Sequence, residues 1–299
     1  MVADLTSLYS CPLFRVLDFH CREEPHSVST PEYAKNYSIC FVRKGNFTYQ
    51  INGKDYDIHT DTILLENAGT YHIAKHADVV RDECLIIQMS PDTLEEYRSL
   101  YWKDKIHNQK KFFQVHNTGF PVPVLKSHPW LDYLHLRGFN EANQRIRGTD
   151  TLHLETILAE LVSRVFRVLY ESSGSNYLNA TPLRIKQYHL ETVEKAKQFI
   201  ATNFRRPISL GEISRNVALS EFHFARLFKQ VTQESPYEYV LKVRLNYALL
   251  LLQSTFCSVF DACFESGFNS YSHFIASFTK QFGASPSKGR SMSIHKIKI

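Results

Sequence analysis

An internal repeat in the last third of the chain constrains the fold more than any other feature of the sequence. When residues 220–236 are aligned with residues 270–286, at an offset of 50, six positions carry the same residue in the same order. Ordered identities of this kind predict two copies of one supersecondary unit. The paired phenylalanines are spaced by four and are predicted to pack in the core of each copy. The matching residues are Ser220, His223, Phe224, Phe228, Ser235 and Pro236 in the first copy and Ser270, His273, Phe274, Phe278, Ser285 and Pro286 in the second.

Each copy is predicted to form a helix, a tight turn and a second helix. A capping signal opens the short first helix at residues 209–212 in the first copy and 258–261 in the second. A serine followed three residues later by a carboxylate satisfies N–H groups that a helix start leaves free. In the second turn, Gly267 supplies backbone angles that other residues avoid, and Phe268 is expected to fill the angle between the helices.

A longer helix is predicted between the two copies. Residues 235–238, Ser-Pro-Tyr-Glu, form a capping box with proline at the first helical position, and apolar residues then recur on one side as far as Gln253. About 17 residues at ~1.5 Å each make a rod of roughly 25 Å. Two helix-turn-helix units held on this rod would have their second helices roughly 34 Å apart, which is one turn of DNA.

The chain divides into two parts of different charge. From residue 183 onward it has 16 Lys+Arg against 8 Asp+Glu, whereas residues 1–182 have 19 against 22. A basic region joined to a slightly acidic one indicates a polyanionic partner for the basic region alone. The boundary coincides with a small, polar, turn-prone stretch at residues 172–183, which we interpret as a linker.

A set of residues spread over about 100 positions of the basic region follows one known pattern. Its members are residues 206–210, Ser220, residues 225–229, Ser235-Pro236, Arg244-Leu245, Ala248, Leu251-Leu252, Gly267-Phe268, His273-Phe274, Phe278 and residues 283–286. In order and spacing they resemble the DNA-binding module of AraC/XylS-type bacterial transcription regulators. The resemblance implies a module of seven helices that inserts two recognition helices into successive major grooves of promoter DNA.

The resemblance places the outward residues of both recognition helices against DNA. Members of that family often carry Arg and Lys where this chain has Ala276 and Thr279, so the second helix is expected to contribute less affinity. We expect Arg226, which can donate two hydrogen bonds to a guanine edge, and Lys229 to supply most of it. The candidate DNA-binding residues are Glu221, Phe222, Ala225, Arg226, Lys229, Tyr271, Ser272, His273, Ala276 and Lys280.

The N-terminal half is predicted to contain short antiparallel strands between residues 36 and 90. Asn52-Gly53 is the strongest turn signal, because both residues tolerate the positive φ of a two-residue hairpin. A series of such hairpins builds a barrel or a sandwich. The β-rich or alternating segments are residues 37–42, 47–51, 63–65 and 84–89.

A loose motif runs through these strands: Gly45, residues 52–56, residues 61–65 and residues 69–72. It resembles the cupin-type sensor barrel that many members of the same family carry before the DNA-binding module. The resemblance implies a pocket for a small organic effector, and a sugar-sensing member has a basic contact where this chain has Lys44. The candidate effector-binding residues are Lys44, Tyr49 and His72.

A helix is predicted over residues 150–170, after the strands. Its apolar residues form one stripe at spacings of three and four, which either covers the barrel of its own chain or makes a dimer contact. Residues 1–31 have little periodicity, and an arm closing over the barrel is expected there. The predicted fold class is α+β in two domains. The parts are an N-terminal antiparallel, cupin-like β-barrel with an arm at 1–148, a helical dimerisation segment at 149–171, the linker at 172–183 and an all-α double helix-turn-helix domain at 184–299.

The competing interpretation is a metal-dependent cupin enzyme fused to the DNA-binding module. Such an enzyme needs three or four His and carboxylate ligands inside the barrel. With His72 as the histidine of the second cupin motif, Ser38 and residues 31–34 occupy the positions of the other ligands, so one ligand of four is present. An alternative register beginning at Gly53 is not followed by a second motif. We therefore expect no enzyme activity, no metal and no other cofactor.

The sequence has no run of apolar residues long enough to cross a membrane; its longest aliphatic run is residues 248–252. Its six cysteines contain no CxxC pair, which favours reduced thiols and a cytoplasmic location. The predicted function is a sequence-specific, homodimeric transcription regulator. Its predicted partners are double-stranded promoter DNA, a small-molecule effector and RNA polymerase. A regulator whose barrel makes only protein contacts is the remaining alternative.

Overall fold

The computed structural model describes residues 3–76, 81–102, 119–145, 151–171, 187–254 and 257–289. The chain divides into two compact units, Met1–Glu194 and Lys195–Ile299, and the division falls inside a helix. The linker predicted at residues 172–183 lies outside the described residues.

Antiparallel strands form the first part of the first unit. Its described strands are β1 (Ala3–Ser10), β2 (Phe14–Cys21), β3 (Glu32–Tyr33), β4 (Tyr37–Lys44), β5 (Asn46–Ile51), β6 (Lys54–His59), β7 (Thr62–Glu66), β8 (Tyr71–His76), β9 (Glu83–Met89) and β10 (Val124–Lys126). They make a six-stranded sheet in the order β1-β2-β9-β4-β7-β10 and a four-stranded sheet in the order β3-β8-β5-β6. A shared core contains Val42 and Cys84 from the first sheet and Phe47 and Ala74 from the second. The predicted N-terminal antiparallel β domain is confirmed.

The hairpin predicted at Asn52-Gly53 joins β5 to β6. Asn52 has φ +50° and Gly53 has φ +74°, and the pairing of Ile51 with Lys54 leaves a loop of two residues. Positive φ at both central positions matches the right-handed twist of the flanking strands. The turn therefore sets the register in which Tyr49 pairs with Tyr56 and faces the core.

Residues 3–21 form a hairpin of the six-stranded sheet, where the sequence predicted an arm. Strand β1 pairs with β2, and β2 pairs with β9 from Phe14–Met89 to His20–Glu83. Val16 and Leu17 are adjacent and both are buried, so both faces of β2 are covered at these two residues. A strand covered on both faces lacks the alternation of apolar and polar residues that would have identified it.

Three helices follow the strands in the described part of this unit: α1 (Pro91–Trp102), α2 (Pro129–Arg145) and α3 (Thr151–Glu171). Helix α3 confirms the helix predicted over residues 150–170. On α3 the Phe166 ring lies 5.4 Å from Tyr97 on α1 and 5.8 Å from Phe120. Its apolar stripe is buried within the chain. The buried stripe residues are Leu154, Ile157, Leu158, Leu161, Val162, Val165 and Leu169.

The C-terminal region contains seven helices among its described residues, the number that the family resemblance implied. They are α4 (Gln187–Asn203), α5 (Leu210–Asn216), α6 (Glu221–Thr232), α7 (Pro236–Ser254), α8 (Val259–Glu265), α9 (Tyr271–Phe282) and α10 (Pro286–Gly289). Helix α4 spans the division between the units. Helices α5 and α6 form one helix-turn-helix, α8 and α9 form the other, and α7 connects them. In the part that the structure describes, no helix has the length and hydropathy of a membrane span.

Serine caps start both helices of each repeat, and the sequence predicted those of the first helices. Ser209 forms a reciprocal capping box with Glu212, and Ser258 forms one with Asp261. Hydrogen bonds from Arg206 and the Ser209 backbone lower the pKa of Glu212, and the Ser258 hydroxyl lowers the pKa of Asp261. Anionic caps of this kind stabilise the N-terminus of a helix. The second helices begin in the same way, with Ser220 and Ser270 accepting a hydrogen bond from the backbone three residues on.

The turn of the second repeat packs against the end of α4. Gly267 has φ +87°, and an added Cβ would overlap the carbonyl oxygen of Phe204 and lie 3.0 Å from Cα of Arg205. Arg244 on α7 donates to the same Phe204 oxygen through Nε at 2.8 Å. Burial lowers the pKa of the Arg244 guanidinium. This junction ties α4, α7 and the second turn together through a single backbone carbonyl.

Candidate functional site

Helix α6, the first predicted recognition helix, has one buried face and one exposed face. Phe224, Leu227 and Phe228 are buried, as predicted, and hold the helix on its unit. Phe222 is 80% exposed at the start of the helix. Of the five residues predicted to contact DNA from this helix, Glu221, Phe222, Arg226 and Lys229 are exposed and Ala225 is half-buried.

Helix α9, the second predicted recognition helix, repeats this arrangement. Phe274 and Phe278 are buried at the positions equivalent to Phe224 and Phe228. The predicted DNA contacts Tyr271, Ser272, His273, Ala276 and Lys280 are all exposed. Two of them have neighbours within the unit: the Tyr237 hydroxyl lies 3.5 Å from Nε2 of His273, and the rings of Phe260 and Tyr271 are 5.8 Å apart.

The two helices differ in the cations that they expose. Helix α6 carries Arg226 and Lys229, whereas α9 carries Lys280 alone and has the uncharged Ala276 and Thr279 on its exposed surface. Within the described ranges no ion pair engages Arg226. The guanidinium of Arg226 is therefore available for a hydrogen-bond acceptor outside the protein, such as a phosphate or a guanine edge.

Other arginines near the repeats are occupied by groups of the protein itself. Arg206 Nη1 lies 2.9 Å from a carboxylate oxygen of Glu212, and Arg205 pairs with Glu265. Arg215 Nε donates to the backbone oxygen of residue 211 at 3.0 Å. Contacts of this kind hold the turns and reduce what these side chains can offer to DNA.

In the first unit, Tyr49 and His72 come together on neighbouring strands. Their rings stack with centroids 4.6 Å apart. Glu66, which the sequence did not single out as an effector contact, completes the group: the Tyr49 hydroxyl donates to it, and Nδ1 of His72 lies 3.2 Å from its carboxylate. Glu66 ends β7 on the other sheet, so only the tertiary fold could reveal this contact.

The electrostatics of this group favour uncharged rings beside a carboxylate. Burial lowers the pKa of His72, although the charges of Glu66 and Glu32 oppose the shift. Burial raises the pKa of Tyr49 well above its usual value, and Glu66 adds to the shift. At neutral pH the group thus presents a neutral imidazole and a neutral phenol beside carboxylates. These side chains favour a ligand that donates hydrogen bonds over an anionic ligand.

Lys44, the third predicted effector contact, lies apart from Tyr49 and His72. It ends β4, and its Nζ is 3.4 Å from a carboxylate oxygen of Glu83. Its side chain is 51% exposed. The structure brings two of the three predicted residues together and adds Glu66 to them. It places Lys44 in a surface ion pair, an interaction that contributes little in water.

The chain is similar to one protein-family profile and to two transcription regulators. A profile of a helix-turn-helix domain family matches residues 213–292. The melibiose operon regulatory protein of Escherichia coli strain K12 is 30% identical over 274 residues, covering 90% of this chain and 86% of that protein. An uncharacterized HTH-type transcriptional regulator of Bacillus subtilis, YdeC, is 24% identical over 262 residues, covering 84% of this chain and 82% of that protein.

Among solved structures, a transcriptional regulator with an AraC-type DNA-binding domain from Chromobacterium violaceum is similar to part of the chain. It is 32% identical and covers 34% of this chain and 90% of its own, with a TM-score of 0.33.

Proposed function

The chain belongs to the AraC family of DNA-binding transcription regulators, and on that premise we propose that α6 and α9 read successive major grooves of promoter DNA while the first unit binds a small organic effector. The observation that carries the first part is the repeated geometry of α6 and α9. Each helix starts at a capping serine, buries a phenylalanine pair and exposes its first turn. Such a helix presents side chains to a groove while its core face stays on the protein.

The connecting helix supports reading of two grooves by one chain. Helix α7 has 19 residues, which at 1.5 Å each make a rod of about 28 Å. With the widths of the flanking units added, the two recognition helices approach the ~34 Å that separates equivalent grooves on one face of DNA. Helix α6, with its two cations, would supply most of the affinity, and α9 would act mainly through shape and neutral contacts.

Binding of the full-length protein to DNA from its own upstream region tests this proposal. Fluorescence anisotropy at two salt concentrations, with unrelated competitor DNA present, separates specific from non-specific binding. We expect tight binding that resists competitor and falls steeply with salt, because contacts to phosphates release counterions. Equal binding to all sequences would contradict sequence-specific recognition.

For the effector, the chemistry of Tyr49, His72 and Glu66 favours a neutral ligand rich in hydroxyl groups. A carboxylate and a neutral imidazole accept hydrogen bonds from hydroxyl groups. A relative is a regulator of the melibiose operon, and melibiose is a sugar, a compound of this chemical class. We therefore propose a saccharide or another polyol as the effector.

Thermal unfolding with a panel of neutral saccharides, melibiose included, and a panel of carboxylic acids tests this ligand class. A saccharide present at 100 times its Kd stabilises the protein by about 2.7 kcal/mol, which is roughly 5–10 °C for a unit of this size. We expect Glu66→Gln to abolish that shift, because it removes the charged acceptor. The matched control Lys44→Ala should keep it. A shift produced by carboxylic acids and lost in Lys44→Ala would contradict the proposal, and no shift with either panel would favour a barrel used only for protein contacts.

The relatives are transcription regulators, and we propose a regulator without enzyme activity that works in the cytoplasm and contacts RNA polymerase. A homodimer would have to form through a surface other than the apolar stripe of α3, because that stripe is buried within the chain.

A further inference from the structure

Three buried side chains that the proposed function does not use converge within the first unit. Cys21 ends β2, His76 ends β8 and Asp82 precedes β9; they are 2%, 7% and 2% exposed. Sγ of Cys21 lies 3.8 Å from Nε2 and 3.9 Å from Nδ1 of His76. A carboxylate oxygen of Asp82 lies 2.7 Å from Nδ1 of His76. One ligand atom from each residue can be chosen so that all three lie within 4.8 Å of one another.

The backbone around these three residues holds them in place. The Cys21 N–H donates to the Asp82 carbonyl oxygen at 2.9 Å, and the His76 N–H donates to the Ser27 carbonyl oxygen at 2.9 Å. Gly45 has φ +85°, and an added Cβ would overlap the Asp82 carboxylate and lie 2.9 Å from Asp82 Cα. The absence of a side chain at residue 45 therefore makes room for the Asp82 carboxylate. Side chains fixed by their backbone in this way form a preorganised ligand set.

We infer that Cys21, His76 and Asp82 form a binding site for one divalent transition-metal ion of the Zn²⁺ class. Bond lengths of about 2.3 Å to sulfur and about 2.0–2.2 Å to nitrogen and oxygen put tetrahedral ligand atoms roughly 3.4–3.6 Å apart. The Cys21–His76 separation exceeds that span by a few tenths of an ångström. The His76–Asp82 separation is that of a hydrogen bond, and it opens by less than 1 Å when an ion replaces the shared proton. Small side-chain rotations suffice for both changes.

The donor set selects the class of metal. A thiolate and an imidazole are soft and intermediate ligands that favour Zn²⁺ and similar transition metals, whereas Mg²⁺ and Ca²⁺ require oxygen ligands. Three protein ligands leave a fourth tetrahedral position for water or an exogenous donor. The site is separate from the Tyr49–His72 group, because His72 and His76 are four residues apart on one strand, or about 13 Å.

Full-length protein without a histidine tag tests this site with Co²⁺ as the probe, since Co²⁺ replaces Zn²⁺ in tetrahedral sites and absorbs light. We expect uptake of one ion per chain, with a thiolate-to-cobalt charge-transfer band and the visible bands of tetrahedral cobalt. Zn²⁺ should displace the Co²⁺ and should raise the unfolding temperature of the protein, because it binds the folded state preferentially.

Single substitutions identify which side chains bind the Co²⁺ ion. Cys21→Ser should remove the charge-transfer band, and His76→Gln and Asp82→Asn should each weaken Co²⁺ binding by about tenfold or more. The matched control Cys11→Ser, which changes a half-buried thiol in the same unit, should bind Co²⁺ as the wild type does.

The Co²⁺ absorption spectrum of the wild-type protein tests the proposed metal site even where a variant fails to fold. A wild-type protein that takes up no Co²⁺, or that binds it without a thiolate band, would overturn the inference. A thiolate band that persists in folded Cys21→Ser protein would overturn it as well. Neither outcome bears on DNA binding or on the saccharide proposal, because those are measured with other probes at other residues.

Discussion

Replacing Arg226 with alanine should lower the affinity of the protein for its operator by about 5- to 150-fold. Arg226 is exposed on α6, at a position that faces away from the buried Phe224 and Phe228. A guanidinium that donates two hydrogen bonds to a guanine edge contributes about 1–3 kcal/mol of discrimination against other bases. The loss is therefore expected on operator DNA and not on unrelated DNA, and anisotropy titrations on both sequences measure it.

Lys229→Ala is the matched control for Arg226→Ala, because both changes remove one exposed cation from the same helix. A lysine that contacts only phosphate should weaken binding to all sequences to a similar extent and should reduce the salt dependence by about one counterion. If Arg226→Ala left operator binding unchanged, or lost affinity equally on unrelated DNA, base reading by Arg226 would be disproved.

Replacing Gly267 with alanine should cost the C-terminal unit about 3 kcal/mol or more of unfolding free energy. Two effects add: a residue with a side chain is strained at φ +87°, and its Cβ would overlap the Phe204 carbonyl oxygen. Strained backbone alone costs about 1–3 kcal/mol. Backbone atoms cannot move aside as a flexible side chain can, so the contact with Arg244 is expected to be lost too. Urea unfolding followed by circular dichroism measures the change.

Gly283→Ala separates the backbone strain from the steric overlap. Gly283 caps α9 with φ +70°, and an added Cβ would meet nothing within 4 Å. Only the backbone strain remains there, so a cost of about 1 kcal/mol is expected. The equivalent position of the first repeat already carries Gln233 at φ +66°, which shows that a side chain is accommodated at this cap. If Gly267→Ala and Gly283→Ala lost the same unfolding free energy, the overlap with the Phe204 carbonyl oxygen would contribute nothing to the cost.

Much of the C-terminal unit could be predicted from the sequence because its signals are local. A capping box such as Ser258 with Asp261 is complete within four residues, and the paired phenylalanines of each repeat are one helical turn apart. Local interactions of this kind need no information about distant parts of the chain. The Asn52-Gly53 hairpin was predictable for the same reason, because the turn geometry depends on the two residues themselves.

In the first unit, turn signals and apolar periodicity were enough to predict the strands β4, β5, β7 and β9 and the helix α3. The tertiary structure was needed to show that residues 14–20 pair with β9 and that the stripe of α3 is covered within the chain. It was also needed to show that Glu66 contacts Tyr49 and His72 and that Cys21 lies beside His76. Contacts between residues tens of positions apart depend on how whole sheets and helices pack, and no short stretch of sequence encodes that packing.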